Sequence, residues 1–238
     1  MRKTKIVCTI GPASESEEKI RALCLAGMNV ARLNFSHGTH EEHRERIETI
    51  KKVRKELDLP IAILLDTKGP EYRIGMFENG RVHLQTGSRF TFTAEDIIGD
   101  ESRVSVSYKN LANELNAGDT ILVNNGLVSF HVLGTDGTNI DTEVMTGGEI
   151  SNRKSMSFPG KHIKQVYLSE QDKADIAFGV SNDVDFIACS FVSVAQDLKD
   201  VHDYLRLLGK DTSVELIAKI ENQSGADNLE ELCRQCDG

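Results

Sequence analysis

Charged and amide side chains suited to phosphoryl transfer stand at two places in the sequence. Lys219 and Glu221 lie two residues apart at the end of an apolar run, so in an extended strand they share one face. A carboxylate suits a hard cation, and a lysine beside it supplies a compact positive charge for a phosphoryl group in transfer. Arg32, Asn34 and Ser36 share a face in the same way. These residues predict a site for a small anion and a cation.

A third polar group, Asp66-Thr67, follows Ile61–Leu65, a continuous apolar run that is typical of a strand buried on both faces of a parallel sheet. In parallel α/β folds, the side chains at the carboxyl ends of the strands meet at one edge. We therefore expect the polar groups that follow the separate runs to meet in one site.

The elements that must position this site alternate between strand and helix. Strand-like segments begin near residues 5, 30, 61, 185 and 214. Ser14, with Glu17 three residues later, predicts the start of the first helix, and Thr39 predicts the start of a long charged helix to Leu57. A last helix is predicted over Asp227–Cys236. Repeated βα units indicate a parallel α/β architecture.

The stretch from Pro70 to Pro159 has a different pattern, with short strand-like runs joined by turns such as Asn125-Gly126. It predicts a compact antiparallel β domain inserted into the α/β part. We therefore expect residues 1–69 and 161–238 to form one domain and residues 70–160 the insert. An open doubly wound sheet would also fit five units, but the sequence lacks the G-x-G-x-x-G fingerprint of dinucleotide-binding sheets. A (β/α)8 TIM barrel has eight units, so we expect a barrel of this α/β type truncated after about five units, with a small antiparallel β barrel inserted.

Composition narrows the function classes. The 238 residues carry 28 Lys and Arg against 37 Asp and Glu, a formal net charge of −9, which argues against nucleic acid or an anionic membrane as partner. The apolar runs are far shorter than the roughly 20 residues of a membrane-spanning helix. The 5 cysteines are odd in number, and no signal peptide precedes them, so a cytoplasmic location without disulfides is expected.

At the strand ends the sequence resembles a known family. The segments Lys5–Ser14 (KIVCTIGPAS), Asn29–Gly38 (NVARLNFSHG), Leu65–Arg73 (LDTKGPEYR) and Ile217–Asn222 (IAKIEN) are similar to successive strand-end motifs of pyruvate kinase. They occur in the family's order, with a β-rich lid domain after the third strand. The resemblance implies transfer of the phosphoryl group of phosphoenolpyruvate to ADP, which yields pyruvate and ATP. It also implies Mg²⁺ (or Mn²⁺) and K⁺ as cofactors and a homotetrameric full-length parent.

The resemblance also implies a role for individual residues. Arg32 would hold the phosphoryl group, and Lys219 would stabilise the charge on that group and on the enolate left behind. Glu221 would be one carboxylate ligand of Mg²⁺. The K⁺ ligands would be Asn34, Ser36, Asp66 and Thr67, and the nucleotide contacts would be Asn34, His37, Arg73 and Lys154.

The sequence departs from the family pattern in a few places. Asn124-Asn125 stands where the family usually has at least one Asp, and Ser155 replaces a usual Gly. We expect these changes to weaken the contacts to the nucleotide and its metal without abolishing them. The family's sixth strand, with a second carboxylate for Mg²⁺, would follow Gly238. We therefore expect the polypeptide to be inactive alone and poorly soluble, with open sheet edges.

Other readings of the same residues remain open. Lys219 could form a Schiff base in a barrel aldolase, although Glu221 on the same face favours the ammonium form over the neutral amine that this chemistry needs. The chain could also be a non-catalytic fragment that binds a nucleotide or phosphate. His37, His40 and His43 invite a metal site, but a solvated helix start is expected.

Overall fold

The computed structural model describes residues 3–161, 163–210 and 213–238. Its helices and strands follow the chain in this order: β1 (Val7–Thr9), α1 (Glu17–Ala26), β2 (Val30–Asn34), α2 (His40–Glu56), β3 (Ala62–Asp66), β4 (Arg81–Leu84), β5 (Arg89–Thr93), β6 (Arg103–Ser105), α3 (Leu111–Glu114), β7 (Thr120–Val123), β8 (Val128–Thr135), β9 (Asn139–Thr146), β10 (Gly148–Ser151), β11 (Met156–Ser157), α4 (Glu170–Ser181), β12 (Phe186–Cys189), α5 (Ala195–Leu207), β13 (Glu215–Ala218), α6 (Gln223–Asp227) and α7 (Leu229–Leu232). They divide into two units.

The first unit contains a five-stranded parallel sheet in the order β1-β2-β3-β12-β13. It comprises the chain up to Pro70, Val166–Glu221 and Gly225–Gly238. Neighbours in the sheet follow one another along the chain once the residues between β3 and β12 are set aside. This is the order that consecutive βα units produce, so the predicted α/β class is confirmed.

Alternation along the strands decides which side chains reach the site. Leu33 and Leu65 are fully buried, and they belong to one core with Ile20 of α1 and Ile47 of α2. Successive side chains of a strand point to opposite faces, so Arg32, next to Leu33, lies on the face away from these helices. The helices therefore hold the sheet from one side while the polar residues line the other.

Helix capping follows the sequence at one helix and departs from it at another. Thr39 caps α2 as predicted, and the structure shows that it does so in a capping box with Glu42. The prediction that Ser14 caps α1 is wrong, because Ser16 is the cap and accepts from the Lys19 N–H. The Ser14 hydroxyl instead lies in the turn after β1, 3.2 Å from the backbone nitrogen of Gly11. Both serines carry a hydroxyl that can cap a helix, and the turn after β1 places Ser16 at the start of α1.

The end of the described chain also differs from the prediction. Instead of one helix over Asp227–Cys236, two short helices, α6 and α7, occur there. Beyond them, the Asp237 N–H donates to the Leu216 carbonyl, and the Ala218 N–H donates to the Gly238 carbonyl at 2.9 Å. Asp237 and Gly238 therefore hydrogen-bond alongside β13.

The second unit comprises Glu71–Gln165 and Asn222–Ser224. A six-stranded sheet in the order β11-β7-β8-β9-β5-β6 and a two-stranded sheet of β10 and β4 form its framework. Phe90, Phe92 and Phe130 are fully buried in its core and contact one another. The prediction of a purely antiparallel domain is wrong at one edge, because β5 and β6 pair in parallel. A chain segment from residue 94 to 102 returns to the start of β5 and allows this pairing.

None of the helices in the described ranges is both long enough and apolar enough to cross a lipid bilayer.

Candidate active site

The residues predicted from strand ends lie at one edge of the parallel sheet. Arg32 and Asn34 belong to β2, Asp66 is the last residue of β3, and Lys219 follows β13 directly. Asn34 and Asp66 are register partners in neighbouring strands. The parallel direction of all the strands puts these carboxyl ends together, since each strand runs from the same side of the sheet to the other.

Asp66 is the centre of this group. Its side chain is only 2% exposed, and its two oxygens serve different cations. Oδ2 accepts a hydrogen bond from Nε of Arg32 at 2.7 Å and also contacts Nη2, while Oδ1 lies 2.9 Å from Nζ of Lys219. A buried carboxylate is costly unless it is paired and hydrogen-bonded, so Asp66 holds both cations at fixed positions.

The ammonium group of Lys219 is surrounded by oxygen atoms. Besides Asp66, it donates to Oγ of Ser190 at 2.7 Å and lies 3.4 Å from Oε2 of Glu221. Its side chain is 28% exposed, so the cation is held in place and still open to solvent. A cation held in this way is pre-positioned and could act on an anion beside the sheet.

Glu221 is oriented by the turn after β12. Its Oε2 accepts from the backbone N–H of Phe191 at 3.0 Å. Phe191 has φ of +56°, a left-handed conformation that is uncommon for a bulky residue. Strained backbone of this kind is found where the surrounding structure fixes a functional geometry. The turn thereby directs an amide at the carboxylate, whose side chain is 34% exposed.

The oxygen atoms named as cation ligands lie at the ends of β2 and β3. Oδ1 of Asn34 accepts from the backbone N–H of Ser36 at 3.0 Å, which fixes the turn that follows β2. The carbonyl of Thr67 accepts from Oγ of Ser190 at 2.6 Å. The structure thus brings Asn34, Asp66 and Thr67 together at the ends of the adjacent strands β2 and β3 and leaves Ser36 on the turn after β2.

Ser190 is a residue of this site that the sequence reasoning did not select. It is 1% exposed, and its hydroxyl contacts the Lys219 ammonium and the Thr67 carbonyl and lies 3.2 Å from Oδ1 of Asp66. Its backbone carbonyl accepts from the Tyr167 hydroxyl at 2.8 Å, and burial raises the pKa of that hydroxyl. The signal in the sequence that could have identified Ser190 was a serine directly after the apolar run of β12.

The histidines after β2 behave differently from the prediction of a solvated helix start. His37 is exposed, but His43 is 2% exposed and its ring stacks on Phe35 at a centroid distance of 4.0 Å. Its Nε2 lies 2.9 Å from the carbonyl of His37, and burial lowers the pKa of the ring. The solvated reading is wrong for His43, because the first turn of α2 packs onto the end of β2.

The remaining predicted residues belong to the second unit. Nε of Arg73 donates to Oε2 of Glu71 at 2.8 Å, and Arg73 forms an isolated β-bridge with Ser155. Lys154 precedes Ser155 and is half-buried, and its carbonyl accepts from the Ile74 N–H. The structure therefore brings Arg73 and Lys154 onto adjacent backbone segments.

No cluster of three or more His, Cys, Asp and Glu side chains suited to a metal occurs in residues 3–161, 163–210 and 213–238. The oxygen atoms of Asn34, Asp66, Thr67 and Glu221 are instead hard donors of mixed type. Such donors suit K⁺ or a Mg²⁺ ion that takes its other ligands from phosphate and water.

Comparison with known proteins places this geometry in a family. The family model "Pyruvate kinase, barrel domain" matches residues 1–238. Pyruvate kinases of Staphylococcus aureus strains MRSA252 and USA300 are 45% identical over 240 residues, which cover 100% of this chain and 41% of each relative. A crystal structure of a pyruvate kinase from Cryptosporidium parvum superposes with a TM-score of 0.91 at 35% identity, over 100% of this chain and 50% of that one.

The chain therefore spans 41% of the length of these curated relatives. Similarity over every residue of the chain, in a family model, in curated sequences and in a solved structure, leads to one conclusion: the chain belongs to the pyruvate kinase barrel-domain family.

Proposed function

We propose that this chain carries the phosphoryl-transfer site of a pyruvate kinase, which moves the phosphoryl group of phosphoenolpyruvate to ADP and forms pyruvate and ATP. One observation carries the proposal. Arg32 contacts Oδ2 of the buried Asp66 and Lys219 contacts Oδ1, and Oε2 of Glu221 lies 3.4 Å from the ammonium nitrogen of Lys219. Two fixed cations beside an accessible carboxylate match the need to bind a phosphoryl group and a divalent ion together.

Arg32 binds the phosphoryl group of the substrate through its planar guanidinium, which presents parallel N–H donors to phosphate oxygens. In the structure its Nη1 donates to Oγ1 of Thr9 and its Nε to Asp66, so the fork is held from two sides. Arriving phosphate oxygens compete with these neutral and anionic partners for the exposed N–H groups. The guanidinium needs little rearrangement to bind them.

Lys219 stabilises the charge that moves during the reaction. Its ammonium N–H groups donate hydrogen bonds to the phosphoryl group in transfer and to the oxygen of the pyruvate enolate, which later takes up a proton at carbon. A cation that is already in place costs no reorganisation at the moment of reaction. The contacts to Asp66 and Ser190 keep this cation near the edge of the sheet.

The proposed site binds a divalent cation and K⁺, and the oxygen atoms of its side chains and backbone are of the type that such ions prefer. Glu221 would hold Mg²⁺ or Mn²⁺ as one carboxylate ligand, and the ion would supply charge neutralisation for the phosphates. Oxygen atoms at the ends of β2 and β3 would hold K⁺: these are Asn34, Ser36, Asp66 and Thr67. Asn34 with His37, Arg73 and Lys154 would contact the nucleotide. The full-length parent is proposed to be a homotetramer of the cytoplasm.

The surroundings of Lys219 argue against the aldolase alternative. A Schiff-base lysine must be a neutral amine to attack a carbonyl, and it is usually desolvated in an apolar pocket or placed beside another cation. Lys219 has two carboxylates and a hydroxyl around it instead. These partners accept hydrogen bonds from an ammonium and leave no lone pair directed at a substrate.

The test is an assay coupled to lactate dehydrogenase, with phosphoenolpyruvate, ADP, Mg²⁺ and K⁺. It compares the 238-residue chain with the longest reading frame that contains it. We expect activity in the longer protein and none in the chain alone. A folded longer protein without activity would overturn the proposal, and phosphate or nucleotide binding by that protein would favour the non-catalytic alternative.

A further inference from the structure

Two Asn-Gly dipeptides occur in the sequence, Asn79-Gly80 and Asn125-Gly126, and the structure treats them differently. Both asparagines are exposed turn residues of the second unit. Glycine after asparagine leaves the backbone nitrogen sterically open to attack the side-chain amide. Hydrogen bonding of that nitrogen is therefore what distinguishes the two positions.

At Asn125 the attacking nitrogen is free. The turn between β7 and β8 has φ of +56° at Asn125 and +82° at Gly126, and it is closed by the bond from the Leu127 N–H to the Asn124 carbonyl. In the described part of the chain, neither the Gly126 N–H nor Nδ2 of Asn125 has a hydrogen-bond partner. The attacking nitrogen and the nitrogen of the leaving amide therefore need not break a protein hydrogen bond before the reaction.

A neighbouring hydroxyl faces the amide carbonyl of Asn125. Oγ of Ser155 lies 3.5 Å from Oδ1 of Asn125, and the two segments are joined by the bond from the Asn124 N–H to the Ser155 carbonyl. A hydroxyl at this position polarises the carbonyl when it moves slightly closer. It can then stabilise the negative charge that forms on Oδ1 during attack.

At Asn79 the corresponding nitrogen is held. The Gly80 N–H donates to the Phe77 carbonyl at 3.0 Å, and the Gly80 carbonyl accepts from the Asn152 N–H at 3.1 Å. The nitrogen of Gly80 must lose its hydrogen bond before it can turn toward the side chain. The same dipeptide is therefore protected here by the fold.

We propose that Asn125 is a site of spontaneous deamidation in the folded protein. The Gly126 nitrogen attacks Cγ of Asn125, a new C–N bond closes a succinimide ring, and the Cγ–Nδ2 bond breaks with release of ammonia, which takes up the proton lost by the attacking nitrogen. Water then opens the ring at either carbonyl and leaves aspartate or isoaspartate. The change adds one negative charge to the turn between β7 and β8.

The experiment incubates the purified chain, shown to be folded by circular dichroism, at mildly alkaline pH. Peptide mapping by mass spectrometry follows deamidation at Asn125 and Asn79 in the same sample, and an isoaspartyl methyltransferase detects the isoaspartate product. We expect Asn125 to react roughly five-fold faster than Asn79 or more, the factor that one net hydrogen bond represents. In concentrated urea the two rates should converge, because the Gly80 bond is lost.

Two variants sharpen the test. Ser155→Gly removes the hydroxyl and should slow only Asn125. Asn152→Ala removes the side-chain oxygen that accepts from the Phe77 N–H at 2.7 Å beside the Asn79 turn, and it should leave Asn125 unchanged. Equal rates at the two positions in the folded protein, or faster reaction at Asn79, would overturn the proposal. This inference does not depend on catalysis, so an inactive protein would still decide it.

Discussion

The ammonium nitrogen of Lys219 lies 2.9 Å from Oδ1 of Asp66, although Asp66 ends β3 and Lys219 follows β13, and these two strands are not neighbours. β12 lies between β3 and β13, and the Lys219 side chain reaches Asp66 beside Ser190, the residue that follows β12. The contact spans three strands of the sheet. A cation held across strand ends in this way is fixed by the tertiary fold.

Lys219→Met should remove the charge that stabilises phosphoryl transfer while keeping a side chain of similar length. We expect the turnover number of an active longer protein to fall on the order of a hundred-fold or more, as for removal of a pre-positioned electrostatic group. The coupled assay measures this. Lys199→Met on the exposed side of α5 is the matched control and should change little. Comparable losses in both variants would contradict the role of Lys219.

Ser190→Ala should lower both stability and activity. The variant leaves the Thr67 carbonyl without its 2.6 Å donor and removes one acceptor of the Lys219 ammonium. Loss of a buried hydrogen-bonding partner costs about 1–3 kcal/mol, which urea denaturation of the chain detects. Ser181→Ala, which removes a local bond to the Phe178 carbonyl at the end of α4, is the comparison. An unfolding free energy equal to that of the parent would exclude a structural role for Ser190.

Gly69→Ala should destabilise the chain through a specific clash. A Cβ atom at Gly69, where φ is +64°, would lie 2.6 Å from the Ser190 carbonyl oxygen. Gly87 has φ of +83° and nothing within 4 Å of its Cβ position, so Gly87→Ala carries the backbone strain without the clash. We expect Gly69→Ala to cost about 1–3 kcal/mol more in denaturant titrations. Equal losses of unfolding free energy in the two variants would mean that the backbone around Gly69 moves to relieve the clash.

Stability should fall as the pH is lowered through the titration of His43. Burial lowers the pKa of His43 in the folded state below its ordinary value of 6.5, so the unfolded chain binds the proton first. The unfolding free energy therefore decreases below pH 6.5 and levels off once the pH is below the folded pKa.

His43→Phe preserves a ring on Phe35 and should remove this part of the pH dependence, as measured by urea denaturation across pH. The exposed His83 provides the control, and His83→Gln should keep the slope of the parent. A slope that survives in His43→Phe would assign the effect to another group.

Local patterns in the sequence were enough for several features. Residues close together in the chain were enough for the helix start at Thr39, for the strand formed by the apolar run Ile61–Leu65 and for the turn at Asn125-Gly126. Their conformations follow from local sterics and hydrogen bonds, which the sequence displays directly. The alternation of strand and helix signals along the chain likewise indicated the α/β class that the sheet confirms.

Tertiary structure alone decided which partners meet. The sharing of Asp66 between Arg32 and Lys219, the burial of Ser190 and the stacking of His43 on Phe35 all join distant segments. Ser14 and Ser16 have equal capping chemistry, and only the turn after β1 selects Ser16. Such choices depend on which strands become neighbours and on what each buried polar group costs when unpaired, and neither is a property of a local run of residues.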